Sequence, residues 1–295
     1  MNRIARASGL AFAAALAALA PAATAQSPAP RSVVPLDLSG PRPIAMLSVG
    51  SNPPARVIFD TGASGNVIDL DYARSVALPD EGPAAVHTPA GGPSMQGFRT
   101  TIANGRLGDV PLSNARAIAL PSPAMRQLQV QGIFGPGTFS GRLVHLDLAR
   151  SEIRITDKTP DSIPAGPSSP YSDGGDRRPG LPGIAVDIAG RSFDAHIDTG
   201  HPGVLMMPLA MANQVPLDGE LRQAPRPARF ADGVPRNLFE GRIRGTVRIG
   251  PVTLENPEVR FMDGLQRVNV GMQALRGLTL VLDPSERRSW LIRES

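Results

Sequence analysis

The most constraining feature of this chain is a tripeptide that occurs twice in the same setting. Phe59-Asp60-Thr61-Gly62 follows Val57 and Ile58, and Ile197-Asp198-Thr199-Gly200 follows Phe193 and Ala195, 138 positions later. Each copy reads as a β-strand running into a tight turn, where glycine permits backbone angles or close approaches that a Cβ would hinder. Another apolar run follows each turn, Val67-Ile68 or Val204-Leu205-Met206, and then a short helix-like segment. Each aspartate is thereby held at a strand end. A single Asp-Thr-Gly says little, because Asp and Gly are ordinary turn formers and Thr is common in strands.

The wider repeat says more. Gly135 of Gly132-Ile133-Phe134-Gly135 lies 75 positions after Asp60, and Gly271 of Asn269-Val270-Gly271 lies 73 after Asp198. Matching strands come next, Leu143 to Leu148 and Leu278 to Asp283, with Asp147 and Asp283 separated by 136 positions. Both pass through charged turns into Ile153-Arg154-Ile155 or Trp290-Leu291-Ile292. The hairpins leading to the aspartates repeat too: Ile44 to Val49 before the first, Ile184 to Ile188 before the second. Self-similarity at a fixed period marks a duplicated unit with two members.

On these residues the chain resembles the aspartic proteases, specifically a retropepsin-like fold duplicated within a single bacterial chain, from about Ile44 to Ile292. The resemblance implies an all-β protein of two related lobes of the retropepsin or pepsin-like fold, with few short helices, such as Asp71 to Val76 and Leu209 to Gln214, and a cleft between the lobes. It implies that Asp60 and Asp198 are the catalytic pair. Thr61 and Thr199, with Gly62 and Gly200, would brace the two turns against each other. The implied substrate is a peptide or protein, with no cofactor and no metal.

Two carboxylates suit that chemistry, since like charges a few ångströms apart cannot both ionise cheaply and so share one proton. The ionised member can deprotonate a water while the protonated member donates to the peptide carbonyl oxygen. No side-chain nucleophile is needed, in keeping with a chain that has no Cys and no convincing Ser-His-Asp arrangement. The second turn departs from the family pattern, with His201-Pro202 where the first has Ala63. His201 is compatible with a tuned site or with a catalytically inactive, peptide-binding pseudoprotease of the same fold. His196, two positions before Asp198, belongs on that aspartate's side of the strand. His196, Asp198 and His201 could be read as metal ligands, but that leaves the first turn unexplained; a satisfied, partly buried histidine is the plainer reading of His196.

Candidate flaps lie between each turn and its apolar-Gly element. The first spans Val86 to Phe98 with a tip at Gly91 and Gly92, and the second spans Arg229 to Pro235 with a tip at Asp232 and Gly233. By the resemblance these hairpins close over an extended peptide.

The chain divides as 1–25, a secretory signal; 26–43, a flexible lead-in; 44–158, the first lobe; 159–183, a linker; and 184–295, the second lobe. The signal reading rests on Arg3 and Arg6, the apolar run from Leu10 to Ala20, and Ala23-Thr24-Ala25 as a cleavage site. Export to the periplasm or medium is expected, without stable membrane insertion, an uncleaved anchor being the alternative. The linker reading rests on 15 Pro, Gly or Ser among 25 residues. Removal of 1–25 takes the formal charge from +4 to +2. With scattered charges and few aromatics, nucleic acid is not an expected partner. Both aspartates in one chain point to a monomer; lobes that pair with those of another copy would instead make dimerisation obligatory.

Overall fold

The computed structural model describes residues 32–87, 94–172, 180–230 and 232–293. The expected signal segment lies outside them.

Two hairpin-based sheets form the lobes. In the first, the strands run in the order Ile44–Val49, Ala55–Phe59, Gly132–Phe134, Asn66–Asp69, Val110–Leu120, Met95–Leu107 and Pro83–Val86. Leu47 to Val49 also pair with Leu107 to Gly105, which closes the sheet into a barrel-like shape. The second lobe repeats the centre of that order, with Gly183–Ile188, Arg191–Ile197, Val268–Val270 and Leu205–Pro208 as neighbours. In both lobes the aspartate-bearing strand lies parallel to the apolar-Gly strand, Phe59 opposite Phe134 and Ile197 opposite Val270.

The lobes differ in their long strands. Met95–Leu107 and Val110–Leu120 are unbroken, whereas their counterparts are split into Leu238–Arg242 with Thr246–Ile249 and Val252–Glu255 with Glu258–Met262. The breaks fall at Gly245, whose φ is +109°, and at Asn256-Pro257, where Asn256 has a φ of +48° and the proline lacks a ladder donor.

A third sheet joins the lobes. Its six strands run Ser32–Pro35, Glu152–Asp157, Arg142–Asp147, Thr279–Asp283, Arg288–Ile292 and Ser169–Pro170. The central contact pairs Leu146 with Leu280 and Val144 with Leu282, all fully buried. Two pieces expected to be irregular are strands here: Ser32–Pro35 of the lead-in pairs with Glu152–Asp157, and Ser169–Pro170 of the linker pairs with Ser289 and Arg288. The edges of a sheet that spans both lobes order these otherwise structure-poor segments by backbone hydrogen bonding. Lys158, the only lysine, reaches Asp283 at 2.7 Å and so ties the end of the first lobe to the second.

The short helices fall close to the expected places. Leu70–Ser75 is α-helical and capped by Asp69, whose carboxylate accepts from Asp71 and Tyr72 main-chain N–H groups; Leu209–Gln214 is a 3-10 turn. One hydrophobic cluster runs through both lobes and the joining sheet.

Because that core is continuous, truncating Leu280 to Ala should cost about 2–5 kcal/mol and lower the urea midpoint of the whole chain. Trp290, the single tryptophan, sits in the joining sheet. Its fluorescence and far-UV circular dichroism should therefore report one coincident transition; two separated transitions would show that the lobes unfold independently.

Candidate active site

Each Asp-Thr-Gly turn hangs from the apolar-Gly strand beside it. Asp60 N–H donates to the Phe134 carbonyl at 2.9 Å, and Asp198 N–H donates to that of Val270 at 2.9 Å. The glycine closing each strand is required by close approach. A Cβ on Gly135 would lie 2.4 Å from the Ala63 carbonyl oxygen, and one on Gly271 would lie 2.4 Å from that of Gly203.

The structure brings the two turns together through their threonines. Thr61 N–H donates to Thr199 Oγ1 at 3.0 Å, and Thr199 N–H donates to Thr61 Oγ1 at 3.1 Å. The hydroxyls donate onward across the lobes, Thr61 to the Ile197 carbonyl at 2.6 Å and Thr199 to that of Phe59 at 2.8 Å. Both threonines are completely buried, and all four bonds cross from one lobe to the other.

This pairing sets Asp60 and Asp198 side by side, close enough for each carboxyl group to shift the ionisation of the other. Asp60 Oδ1 accepts from Gly62 N–H at 2.7 Å and Gly200 N–H at 3.2 Å; Asp198 Oδ1 accepts from His201 N–H at 3.0 Å. Gly62 and Gly200 lie so near the opposite aspartate that a Cβ on either would come within 2.8 or 2.5 Å of its carboxylate. Asp60 and Asp198 are both half-buried, each with the glycine of the opposite turn against its carboxylate. Burial raises both pKa values above the ordinary carboxylate range. For Asp198 burial and the neighbouring Asp60 charge together push it up to about 8. The pair thus holds one proton between its members over a wide range.

The aspartyl protease family profile matches this chain twice, over residues 45–136 and 184–274. The chain belongs to the aspartyl protease family. The two matches coincide with the two lobes, so it is a duplicated, retropepsin-like form. No curated protein gives a significant match.

Among aspartyl protease turns, the one carrying His201 differs from its partner here in what lies beneath it. The ring packs against Gly203 and Gly271, with Nε2 3.0 Å from where a Cβ on Gly203 would sit, so it lies in the base of the second lobe. Burial, then Arg260 and Arg42, lower its pKa to about 4, leaving it neutral. His196 is likewise lowered to about 4 by burial and Arg267. Its Nε2 is 2.5 Å from Ser172 Oγ, the satisfied histidine of the plainer reading. No group of three His, Asp or Glu side chains is arranged to hold a metal among the described residues.

Of the flap residues, Gly91 and Gly92 lie outside the described residues, although the arms of that hairpin pair from Pro83–Phe98 to Val86–Met95. The second hairpin pairs Ala228 and Arg229 with Arg236 and Pro235. Asp232 is turned into it, bonded to Arg236 at 2.7 Å, while Arg236 stacks over Phe230. Gly233, at φ +71°, brings this tip against Pro123 of the first lobe.

Three side chains of the site escape a reading of the motifs. Asn66 Oδ1 accepts from Gly135 N–H at 3.1 Å and from the Thr138 hydroxyl at 2.7 Å, anchoring the first apolar-Gly strand. Asn269 Nδ2 donates to Asp198 Oδ2 at 2.9 Å, where the first lobe has Ile133. Arg42 Nε donates to the Gly200 carbonyl at 2.7 Å from a partner 158 positions away. The repeat itself held a signal for Asn269, a polar residue in an apolar element; Arg42 had none.

Two outcomes follow from these contacts. Asn269→Ile, which copies the first lobe, removes a donor to a charged acceptor worth about 1.5 kcal/mol. The upper apparent pKa of the pair should rise by about one unit, read from the alkaline limb of a pH–rate profile or by NMR titration. For His201 the folded pKa lies below the unfolded one, so the unfolded chain binds the proton more readily between about 4 and 6.5. The stability this neutral ring contributes is present above about 6.5 and is lost as pH falls toward 4. Asp60 and Asp198 act in the opposite sense, favouring the fold as pH falls. Urea unfolding of wild type and His201→Ala should therefore diverge in slope within that window; parallel curves would show the ring to be uninvolved.

Proposed function

We propose that this chain hydrolyses internal peptide bonds, using a water activated between Asp60 and Asp198. The observation that carries this reading is a pair of adjacent carboxyl groups assembled from two strand ends within one chain. In the half-protonated pair, the ionised carboxylate takes a proton from the water as its oxygen attacks the peptide carbonyl carbon. The other carboxyl group donates its proton to the carbonyl oxygen, giving a neutral tetrahedral diol. The pair gives a proton to the amide nitrogen, and as the C–N bond breaks one diol hydroxyl returns a proton to the pair, leaving a carboxylic acid, an amine and the half-protonated pair. The Gly62, Gly200 and His201 N–H groups hold both carboxyl groups in one orientation, so little reorganisation is needed at the moment of reaction.

His201 supports an active site more than a spoiled one. Its ring lies beneath the turn, and its main-chain N–H still serves Asp198. Because one chain supplies both carboxylates, the reading includes activity as a monomer. The basic, apolar, small-residue order of the first 25 positions supports an exported enzyme. No helix among the described residues is long and apolar enough to cross a membrane.

A diverse peptide mixture incubated from pH 3 to 9 tests this. Wild type should cleave, with loss on the alkaline side as the shared proton leaves near pH 8. Asp60→Asn and Asp198→Asn should each lower the rate by at least about 10³-fold, since neither retains both roles. Specific activity should be constant on dilution. Peptide binding without cleavage by wild type at every pH would replace this reading with the pseudoprotease.

A further inference from the structure

The two lobes present different chemistry to the carboxyl pair. On the first-lobe side Ile44, Ile58, Val67 and Ile133 gather with Met125 in a small apolar cluster. On the second-lobe side the positions matching Ile58 and Ile133 hold His196 and Asn269, which are register partners as the isoleucines are. Arg42 adds a cation to that same side. Its Nε is tied to the Gly200 carbonyl, and its guanidinium lies within electrostatic reach of Asp60, Asp198 and His201. It forms an ion pair with neither aspartate, and its two terminal nitrogens have no hydrogen-bond partner among the described residues. Arg42 is half-buried, yet those nitrogens are not among the atoms sealed from solvent. Two second-lobe arginines, Arg236 and Arg260, are already matched, by Asp232 and Glu240. Pro43 and Pro182 are equivalent, their carbonyls accepting from Phe59 and Ile197 N–H, so the place matching Arg42 is Leu181 and the cation has no counterpart.

We propose that Arg42 is a specificity residue that binds a carboxylate of the peptide substrate on the second-lobe side of the scissile bond. This rests on the protease reading above and names the substrate class it takes. A guanidinium whose Nε is already engaged presents its remaining N–H groups in a fixed fork, which suits a carboxylate accepting two bonds. Partial burial strengthens that contact relative to open water. The carboxylate has two sources, an acidic side chain or the peptide's own C-terminus.

The experiment uses the full chain and one capped peptide sequence, with Glu or Gln placed in turn at each position flanking the cut. A parallel set compares free-acid with amidated C-termini. At one position Glu should exceed Gln by about tenfold in kcat/KM, as a charge-assisted bond of this kind allows. If the C-terminus is the source, the free acid should win by the same factor at one fixed distance from the cut. In either case the ratio should fall to about one in Arg42→Gln and be partly kept in Arg42→Lys. Ratios near one in wild type would overturn the proposal. So would an Arg42→Gln variant that slows every peptide equally and shifts the pH profile, since Arg42 would then act on the carboxyl pair. If wild type cleaves nothing, the hydrolysis reading fails separately. Fluorescence anisotropy with the same labelled peptides still reads the Glu-to-Gln ratio, and its loss in Arg42→Gln still decides the matter.

Discussion

Everything around the two aspartates depends on the exchange of hydrogen bonds between Thr61 and Thr199. Each threonine gives its hydroxyl proton to a carbonyl of the opposite lobe and accepts the N–H of the opposite threonine. In a site with no exposure these groups have no water to fall back on, so removing one hydroxyl strands a donor and an acceptor on the other lobe. The arrangement therefore tolerates one distance between the turns. That distance presses Gly62 and Gly200 against the carboxylates and leaves no room for a side chain at either position.

The remaining architecture holds the turns at that distance. The apolar-Gly strands suspend each aspartate from behind, and the joining sheet fixes one lobe on the other through Leu146, Leu280 and their neighbours. Asp147 and Asp283, buried at the ends of that sheet's central strands, are each satisfied by the turn that follows and by a cation: Arg150 and Arg154 for one, Lys158 for the other. Those cations hold both carboxyl groups below the ordinary range despite burial. The same burial raises Asp60 and Asp198, which share one half-buried cation at a distance and face each other. Identical side chains are thus favoured as ionised at one end of the lobe and as protonated at the other.

Duplication has not left the halves equivalent. The first lobe anchors its apolar-Gly strand with the Asn66 side chain, the second with the Val204 carbonyl accepting from Gly271 N–H. Ala63 is matched by His201 and Ile133 by Asn269, and long strands of one lobe are broken in the other. Each difference lies near the carboxyl pair or on the sheets that carry it, so the two aspartates, alike in sequence, sit in unlike surroundings.

The two lobes and the strand-turn setting of Asp60 and Asp198 were legible in the sequence, because a duplicated unit displays its own period and because Asp, Thr and Gly in that order demand a turn at a strand end. The short helices were legible for a similar local reason. Ser32–Pro35 was not, since a four-residue strand is ordered only by a partner more than a hundred positions away. Arg42 was not, because nothing around it distinguishes it from other scattered arginines until folding brings it to Gly200. The sequence by itself determined which residues could form the pair, through local turn chemistry and repetition. Tertiary structure alone decided how far apart they stand, how hard each is to ionise and which polar groups surround them. Those properties arise from burial and from contacts between lobes, and neither has a local signature in the chain.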